Sequence, residues 1–128
     1  ELFNWFMNQT NSVKGFSKSV WSGVTTLELA KCIEYCVLNN IEGKHDLTSK
    51  NSITKYNLLK ILNGYLKHPL KIIKVDGVVT NKNLKKGDET FYSMTKNYDD
   101  LIKEMMEDIL ESDSYSHYIR ALKSSIVL

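Results

Sequence analysis

The only proline of the chain, Pro69, separates two kinds of hydrophobic spacing, and this break constrains the fold more than any other feature. Before Pro69 the apolar residues recur with the period of a helix. After it, the residues from Lys71 to Thr80 form short β-branched runs that are typical of strands. Proline has no backbone N–H and pushes the preceding residue out of the helical region, so a helix has to end by His68. The chain is therefore predicted to combine helices with strands.

The first long helix is predicted to begin at Thr25, because Thr25 and Glu28 have the spacing of a capping box. It should end near Asn39 and Asn40. Its apolar residues follow the helical period, which places both cysteines on a buried stripe. These residues are Leu29, Ile33, Cys36, Val37 and Asn40, with Ala30 and Cys32 beside them.

Two further helices have equally regular spacing. One should start near Ser52 or Thr54 and continue to Lys67. The other is capped by Asn97, and its first turn holds acidic residues that suit the positive end of the helix dipole. Their predicted buried residues are Leu58, Leu59, Leu62, Tyr65 and Leu66 in the first helix, and Tyr98, Leu101, Ile102, Met105, Met106, Ile109 and Leu110 in the second. A final helix is predicted to start at residues 113–114.

The N-terminal region is rich in aromatic side chains. Residues 2–7 are predicted to form one or two helical turns, and the polar residues 8–15 a loop. Phe16, Val20 and Trp21 then bring apolar bulk back. Two interpretations of these aromatic residues stay open, namely packing in the core or a surface patch for a partner.

A hairpin is predicted after Pro69, since two β-branched runs flank the dipeptide Asp76-Gly77. Asp-Gly supplies the positive φ angles of a type I′ turn, whose twist matches that of antiparallel strands. A second turn at residues 85–88 leads to residues 89–94, which are predicted as a third strand. The expected unit is a small antiparallel β-hairpin or three-stranded meander at about residues 71–94.

The segment IKVDGVVTNKNLKKGDETF, residues 73–91, resembles the hairpin of S4-type RNA-binding domains. In that family a strand with a V-[DN]-G turn is followed by a K-x-G-D turn and another strand. The resemblance covers this segment alone and implies an RNA-binding hairpin. The family also places two short helices close together before the strand, whereas the predicted helices 25–40 and 52–67 are separated by a long connection.

These elements predict an α+β fold that is mainly α, with four or five helices around one core and the small β unit on one flank. The 128 residues suit one compact domain, residues 1–128. A start at Glu1 indicates a domain excised from a longer chain or polyprotein. Sixteen lysines against one arginine indicate an AT-rich genome.

Two cysteines make no disulfide framework, which favours an intracellular, reducing compartment. No apolar run has the length of a membrane span, so no membrane partner is expected.

The sequence contains no catalytic or metal-binding signature, and we expect no bound cofactor or metal. Whether the protein is an enzyme stays open, because catalytic groups can be assembled in space from distant residues, but the sequence favours a non-catalytic role. The three histidines, His45, His68 and His117, lack zinc-site spacing with the cysteines. Acidic residues recur at helical spacing within residues 104–111. However, the matching Glu-x-x-His motifs of helix-bundle metal sites are missing. A glycine-rich phosphate loop and a nucleophile elbow are missing as well.

Charge is distributed very unevenly. Residues 50–87 hold nine of the seventeen basic side chains and one acidic residue, Asp76, while residues 88–114 hold nine acidic residues and two lysines. Lysines along a helix and an adjoining hairpin could follow a phosphate backbone and release its counterions. We therefore predict a non-catalytic module that binds RNA or DNA through residues 50–87. The predicted contact residues are Lys55, Lys60, Lys67, Lys71, Lys74, Lys82, Lys85 and Lys86.

Two alternatives to nucleic-acid binding remain at this stage. The basic and acidic segments could neutralise each other across the fold or keep the surface soluble. The chain could also be a protein-interaction or scaffold domain that uses the aromatic N-terminus or the acidic helix 97–111. With a single arginine, bidentate reading of base edges would be scarce, so nucleic-acid binding should depend on the backbone or its shape.

Overall fold

The computed structural model describes residues 2–84, 96–112 and 124–128. Within these residues the fold is α+β, with four helices and two small sheets. In chain order the elements are α1 (Leu2–Met7), β1 (Ser12–Phe16), β2 (Ser19–Trp21), α2 (Thr26–Leu38), β3 (Ile53–Thr54), α3 (Lys55–Asn63), β4 (Lys71–Val75), β5 (Thr80–Lys82) and α4 (Tyr98–Glu111). Two predicted elements, the strand at 89–94 and the helix from 113–114, lie outside the described residues.

Helix α3 is the central element of the core. Thr54 caps it, accepting a hydrogen bond from the Asn57 amide at 3.2 Å, as the sequence predicts. Its buried residues are Leu58, Leu59 and Leu62. The helix ends at Asn63, earlier than the predicted end at Lys67. The Asn63 side chain instead bonds both backbone groups of Leu70, and so holds the turn that contains Pro69.

Helix α4 supplies the largest share of the core. Asn97 caps it through the Asp100 amide at 2.9 Å, which confirms the predicted start. The α4 residues Tyr98, Leu101, Ile102, Met106 and Ile109 are buried with the α3 leucines, Phe6, Val13 and Ile126. Burying each large apolar side chain contributes about 1.5–3 kcal/mol, so this cluster dominates the stability of the fold.

The strands are paired differently from the predicted hairpin. β4 pairs in parallel with β1, and β5 in parallel with β2, so β4 and β5 do not pair with each other. β2 also pairs with β3 in the antiparallel sense. Strands do lie at 71–75 and 80–82, but the described residues do not pair these two strands as the predicted antiparallel hairpin.

The difference comes from a strand pairing between residues about 60 positions apart. Residues 8–15 were predicted as a loop, but Ser12–Phe16 form β1, in which Val13 and Gly15 are buried against α3. Among the described strands, this polar strand is the pairing partner of β4. Among the described glycines only Gly43 has a positive φ, so Asp76-Gly77 is not a type I′ turn. Within the described part of the S4-like segment, residues 73–84, the chain accordingly does not form the hairpin that the resemblance implies.

Helix α2 has the predicted ends, but the side that it buries is not the predicted one. Thr25 accepts the Glu28 amide at 3.2 Å. At the other end Asn40 has a positive φ, and the Ile41 amide bonds the Cys36 carbonyl, which completes a Schellman motif. The predicted apolar stripe, however, faces solvent, with Leu29, Ile33 and Val37 exposed. The buried residues of α2 are Glu28 and Cys32.

Candidate nucleic-acid interface

The predicted site is built around the close approach of Tyr56 to the sheet of β1 and β4. Tyr56 lies in the first turn of α3, above Gly15 of β1. A Cβ atom on Gly15 would lie 2.8 Å from the Tyr56 ring and 2.9 Å from its Cα atom. Only glycine leaves room for this contact, which brings the helix and its side chains down onto β1.

Three lysines surround aromatic rings at this junction. The Nζ atom of Lys55 lies 4.8 Å from the centroid of Trp5 and 5.6 Å from that of Phe16. Two further ammonium groups approach the Tyr56 ring, Lys60 at 5.7 Å and Lys74 at 6.0 Å. These distances are within the range of cation–π attraction, which contributes about 0.5–1 kcal/mol at exposed sites. We call these six residues the lysine–aromatic surface.

The structure brings together three of the eight predicted lysines, Lys55, Lys60 and Lys74, around these aromatic rings. Lys71 is exposed at the start of β4, while Lys67 lies beyond α3, where its amide bonds the Ser125 carbonyl. Lys82 is exposed on β5, in the second sheet. Lys85 and Lys86 lie outside the described residues.

Two lysines that were not predicted extend the basic surface. Lys14 is exposed on β1, opposite Ile73, and Lys18 follows the strand. They were missed because segment 8–15 was interpreted as a loop, and because pairing between β1 and β4 joins residues about 60 positions apart. The only signal was the alternation of Val13, Lys14 and Gly15, which is short.

One carboxylate lies within this basic region. Ser17 donates a hydrogen bond to Asp76 at the end of β4. This bond holds the pKa of Asp76 below its ordinary value, and the charges of Lys18 and Lys74 act in the same direction. Asp76 is thus an ionised acceptor beside Lys74 and reduces the local positive charge by one.

The acidic helix forms ion pairs with a different set of lysines. Glu104 of α4 accepts hydrogen bonds from Lys31 at 2.7 Å and Lys96 at 2.6 Å. Lys96 also lies 3.4 Å from Glu28, which is only 1% exposed. Among the described residues, none of the six placed lysines of the predicted site takes part in an ion pair. The predicted neutralisation of the basic segment by the acidic one is therefore not formed through ion pairs in this part of the chain.

The electrostatics of this network follow from burial and pairing. Hydrogen bonds from Lys31 and then Lys96 lower the pKa of Glu104. Burial by itself would lower the pKa of Lys96, but the bond to Glu104 and the charge of Glu28 outweigh it, so the pKa is raised. One Glu28 oxygen, Oε1, is buried and has no hydrogen-bond partner among the residues that the structure describes. Lys96 is thus the cation that pairs with the buried carboxylate of Glu28.

A groove of about 580 Å³ opens beside the lysine–aromatic surface, and we call it the sheet groove. It lies between α1, α3 and the sheet of β2, β3 and β5. Its apolar lining includes Phe16, Trp21 and Leu58, and Lys55 belongs to both the groove and the lysine–aromatic surface. The groove therefore adjoins the predicted binding site.

The two cysteines are close together but differ in burial. Cys32 is buried, as predicted, whereas Cys36 is half-buried. Burial, the neighbouring Cys36 thiol and the charge of Glu28 raise the pKa of Cys32 to about 11. A thiol with so high a pKa is a poor nucleophile and a poor metal ligand. In the part of the chain that the structure describes, no three His, Cys, Asp or Glu residues are arranged to hold a metal ion.

Comparison with protein-family models, with curated proteins and with solved structures finds no match to this chain. Across residues 2–84, 96–112 and 124–128, none of the helices has the length and apolar character that crossing a membrane requires.

Proposed function

We propose that this protein is a non-catalytic module that binds the backbone of a nucleic acid through the lysine–aromatic surface. The observation that carries the proposal is the position of Lys55, Lys60 and Lys74 beside three aromatic rings at the junction of α3 with β1 and β4. The ring of Trp5 is exposed, and those of Phe16 and Tyr56 are half-buried. Positive charges interleaved with aromatic rings are the features that attract phosphates and stack bases.

The charge pattern supports this proposal. Lys14 and Lys71 extend the positive charge along the two paired strands that adjoin the surface. The acidic helix has its own lysine partners, so the ammonium groups of the surface are available to a polyanion. Because these groups are lysines, which offer point charges instead of a planar fork of donors, binding should depend weakly on base sequence.

The test is a titration of single- and double-stranded DNA and RNA at several salt concentrations. Affinity should fall log-linearly with salt as counterions are released. In the variant Lys60→Glu with Lys74→Glu, binding should weaken strongly, and for a single strand the salt slope should decrease by about 1.4, since each phosphate contact contributes about 0.7. Both residues are exposed, and each loses one cation–π contact with Tyr56, so stability should fall by no more than about 1–2 kcal/mol.

The matched control is Lys44→Glu with Lys103→Glu. Both of these lysines are exposed, and neither belongs to the lysine–aromatic surface, because they lie in the connection after α2 and on α4. The two double variants have the same net charge, so any difference between them measures the position of the charges. Equal loss of binding in both variants, or no binding by the wild-type protein at low salt, would contradict the proposal.

A protein-interaction domain is the second candidate, and α2 provides the observation that favours it. Leu29, Ile33 and Val37 are all exposed and lie along one side of that helix. An apolar stripe of this kind fits an amphipathic helix of a protein partner. The variant Ile33→Lys would then abolish binding of the partner, while the Lys60 and Lys74 variants would leave it unchanged.

A further inference from the structure

The second sheet presents an aromatic side chain at the centre of one face. Register partners in neighbouring strands share a face, and Ile53, Trp21 and Lys82 form one such row. Ser19 and Thr80 lie two residues before Trp21 and Lys82, so they belong to the same face. All five residues line the sheet groove. The floor of the groove is therefore one side of this sheet, with Trp21 in its middle.

The lining of the sheet groove has a mixed chemistry. Phe16 and Leu58 add apolar walls, while Lys55 and Lys82 are the only charged side chains among the described lining residues. A volume of about 580 Å³ lies within the ~300–1,000 Å³ range of small-ligand sites. The complementary ligand has a flat apolar body and negative charge beside it.

Trp21 is held in place before any ligand binds. The Tyr98 hydroxyl donates a hydrogen bond to the Gly23 carbonyl at 2.8 Å, and the Tyr98 and Trp21 rings lie 5.9 Å apart. A Cβ atom on Gly23 would lie 2.3 Å from the indole, so glycine is needed for the ring to rest against the backbone. A ring fixed in this way loses little conformational freedom on binding.

We infer that the sheet groove binds an unpaired base of a single-stranded nucleic acid. This inference rests on the proposed function and names its substrate class. The base stacks on Trp21 and Phe16, and the flanking phosphates lie near Lys55 and Lys82. Because Lys55 also belongs to the lysine–aromatic surface, a strand bound there can place a base in the groove without leaving it. Bases within a duplex are already stacked and paired, so single strands bind more tightly than duplexes.

The experiment compares three labelled probes: a short oligothymidylate, an abasic strand of the same length and a DNA duplex. The wild-type protein should bind oligothymidylate about tenfold more tightly than the abasic strand, as expected for one stacked base. The variant Trp21→Ala should remove this advantage and leave affinity for the abasic strand unchanged. The control is Tyr35→Ala, which removes an exposed ring outside the groove lining (38% exposed, against 37% for Trp21).

A second pair of variants serves if Trp21→Ala fails to fold. Val78 lines the groove and its neighbour Val79 does not, and both are exposed. Val78→Glu should weaken oligothymidylate binding more than Val79→Glu, although the two variants have the same net charge.

The outcomes separate the two claims. Equal affinity for oligothymidylate and the abasic strand overturns this inference and leaves the proposed function intact. A loss of affinity for both strands in Trp21→Ala overturns the inference as well. Failure of all three probes to bind at low salt overturns the proposed function together with the inference.

Discussion

Helices α2 and α4 have similar amphipathic sequences, but α4 buries its apolar side and α2 exposes it. Each begins with a side-chain cap and carries apolar residues at helical spacing. In α4 that stripe forms much of the core, whereas α2 contributes no residue to the main cluster of described core residues. The buried side of α2 instead carries Glu28, which is paired with Lys96.

The difference shows that amphipathic spacing identifies a helix without identifying its buried side. Turning α2 over would bury its apolar stripe but would separate Glu28 and Lys31 from Lys96 and Glu104. A charged network held by several bonds therefore accompanies an exposed apolar stripe. Such a stripe is unusual on a stable surface unless it serves an interaction.

The largest effect should come from the same substitution made in both helices. Ile102 in α4 is 4% exposed and Ile33 in α2 is 55% exposed. Ile102→Ala should lower the free energy of unfolding by about 3 kcal/mol, because it removes core contacts and leaves a cavity. Ile33→Ala should change it by less than about 0.5 kcal/mol. Urea denaturation of the two variants measures the difference, and equal losses would show that the stripe of α2 is buried in solution.

A smaller effect is expected from removing the cation between the helices. Lys96→Met should destabilise the fold by about 2 kcal/mol, since it leaves Glu28 buried without its cation. The loss should be below the ~3–5 kcal/mol of a fully buried pair, because Lys96 is itself partly exposed. The control is Lys103→Met, which removes the exposed pair with Glu107 and should cost about 0.3–0.5 kcal/mol. Similar losses in both variants would mean that the network does not orient α2.

The comparison of α2 with α4 also shows which features the sequence could predict and which it could not. The caps at Thr25 and Asn97 were predictable, because a cap and its amide partner lie three residues apart. The orientation of α2 depends on Lys96, which is 68 positions from Glu28. The pairing of β1 with β4 is similarly distant, and without it neither Lys14 nor the position of Lys74 over Tyr56 could be derived. Of the proposed site, the lysines of α3 and β4 were predicted, but their aromatic partners were not.

The smallest effect on stability, and the most direct report on the orientation of α2, should come from its two thiols. Cys32 lies on the buried side and has a pKa raised to about 11, mainly by burial, while Cys36 is half-buried. In the folded protein a disulfide reagent should therefore modify the single thiol of Cys32→Ser at least about tenfold faster than that of Cys36→Ser, because only an accessible thiolate attacks. In denaturant the two variants should react at similar rates, which controls for reagent and sequence effects. If the thiol of Cys36→Ser reacted as fast as that of Cys32→Ser in the folded state, Cys32 would not be buried. The network of Glu28, Lys96 and Glu104 would then not hold this side of α2 against the protein.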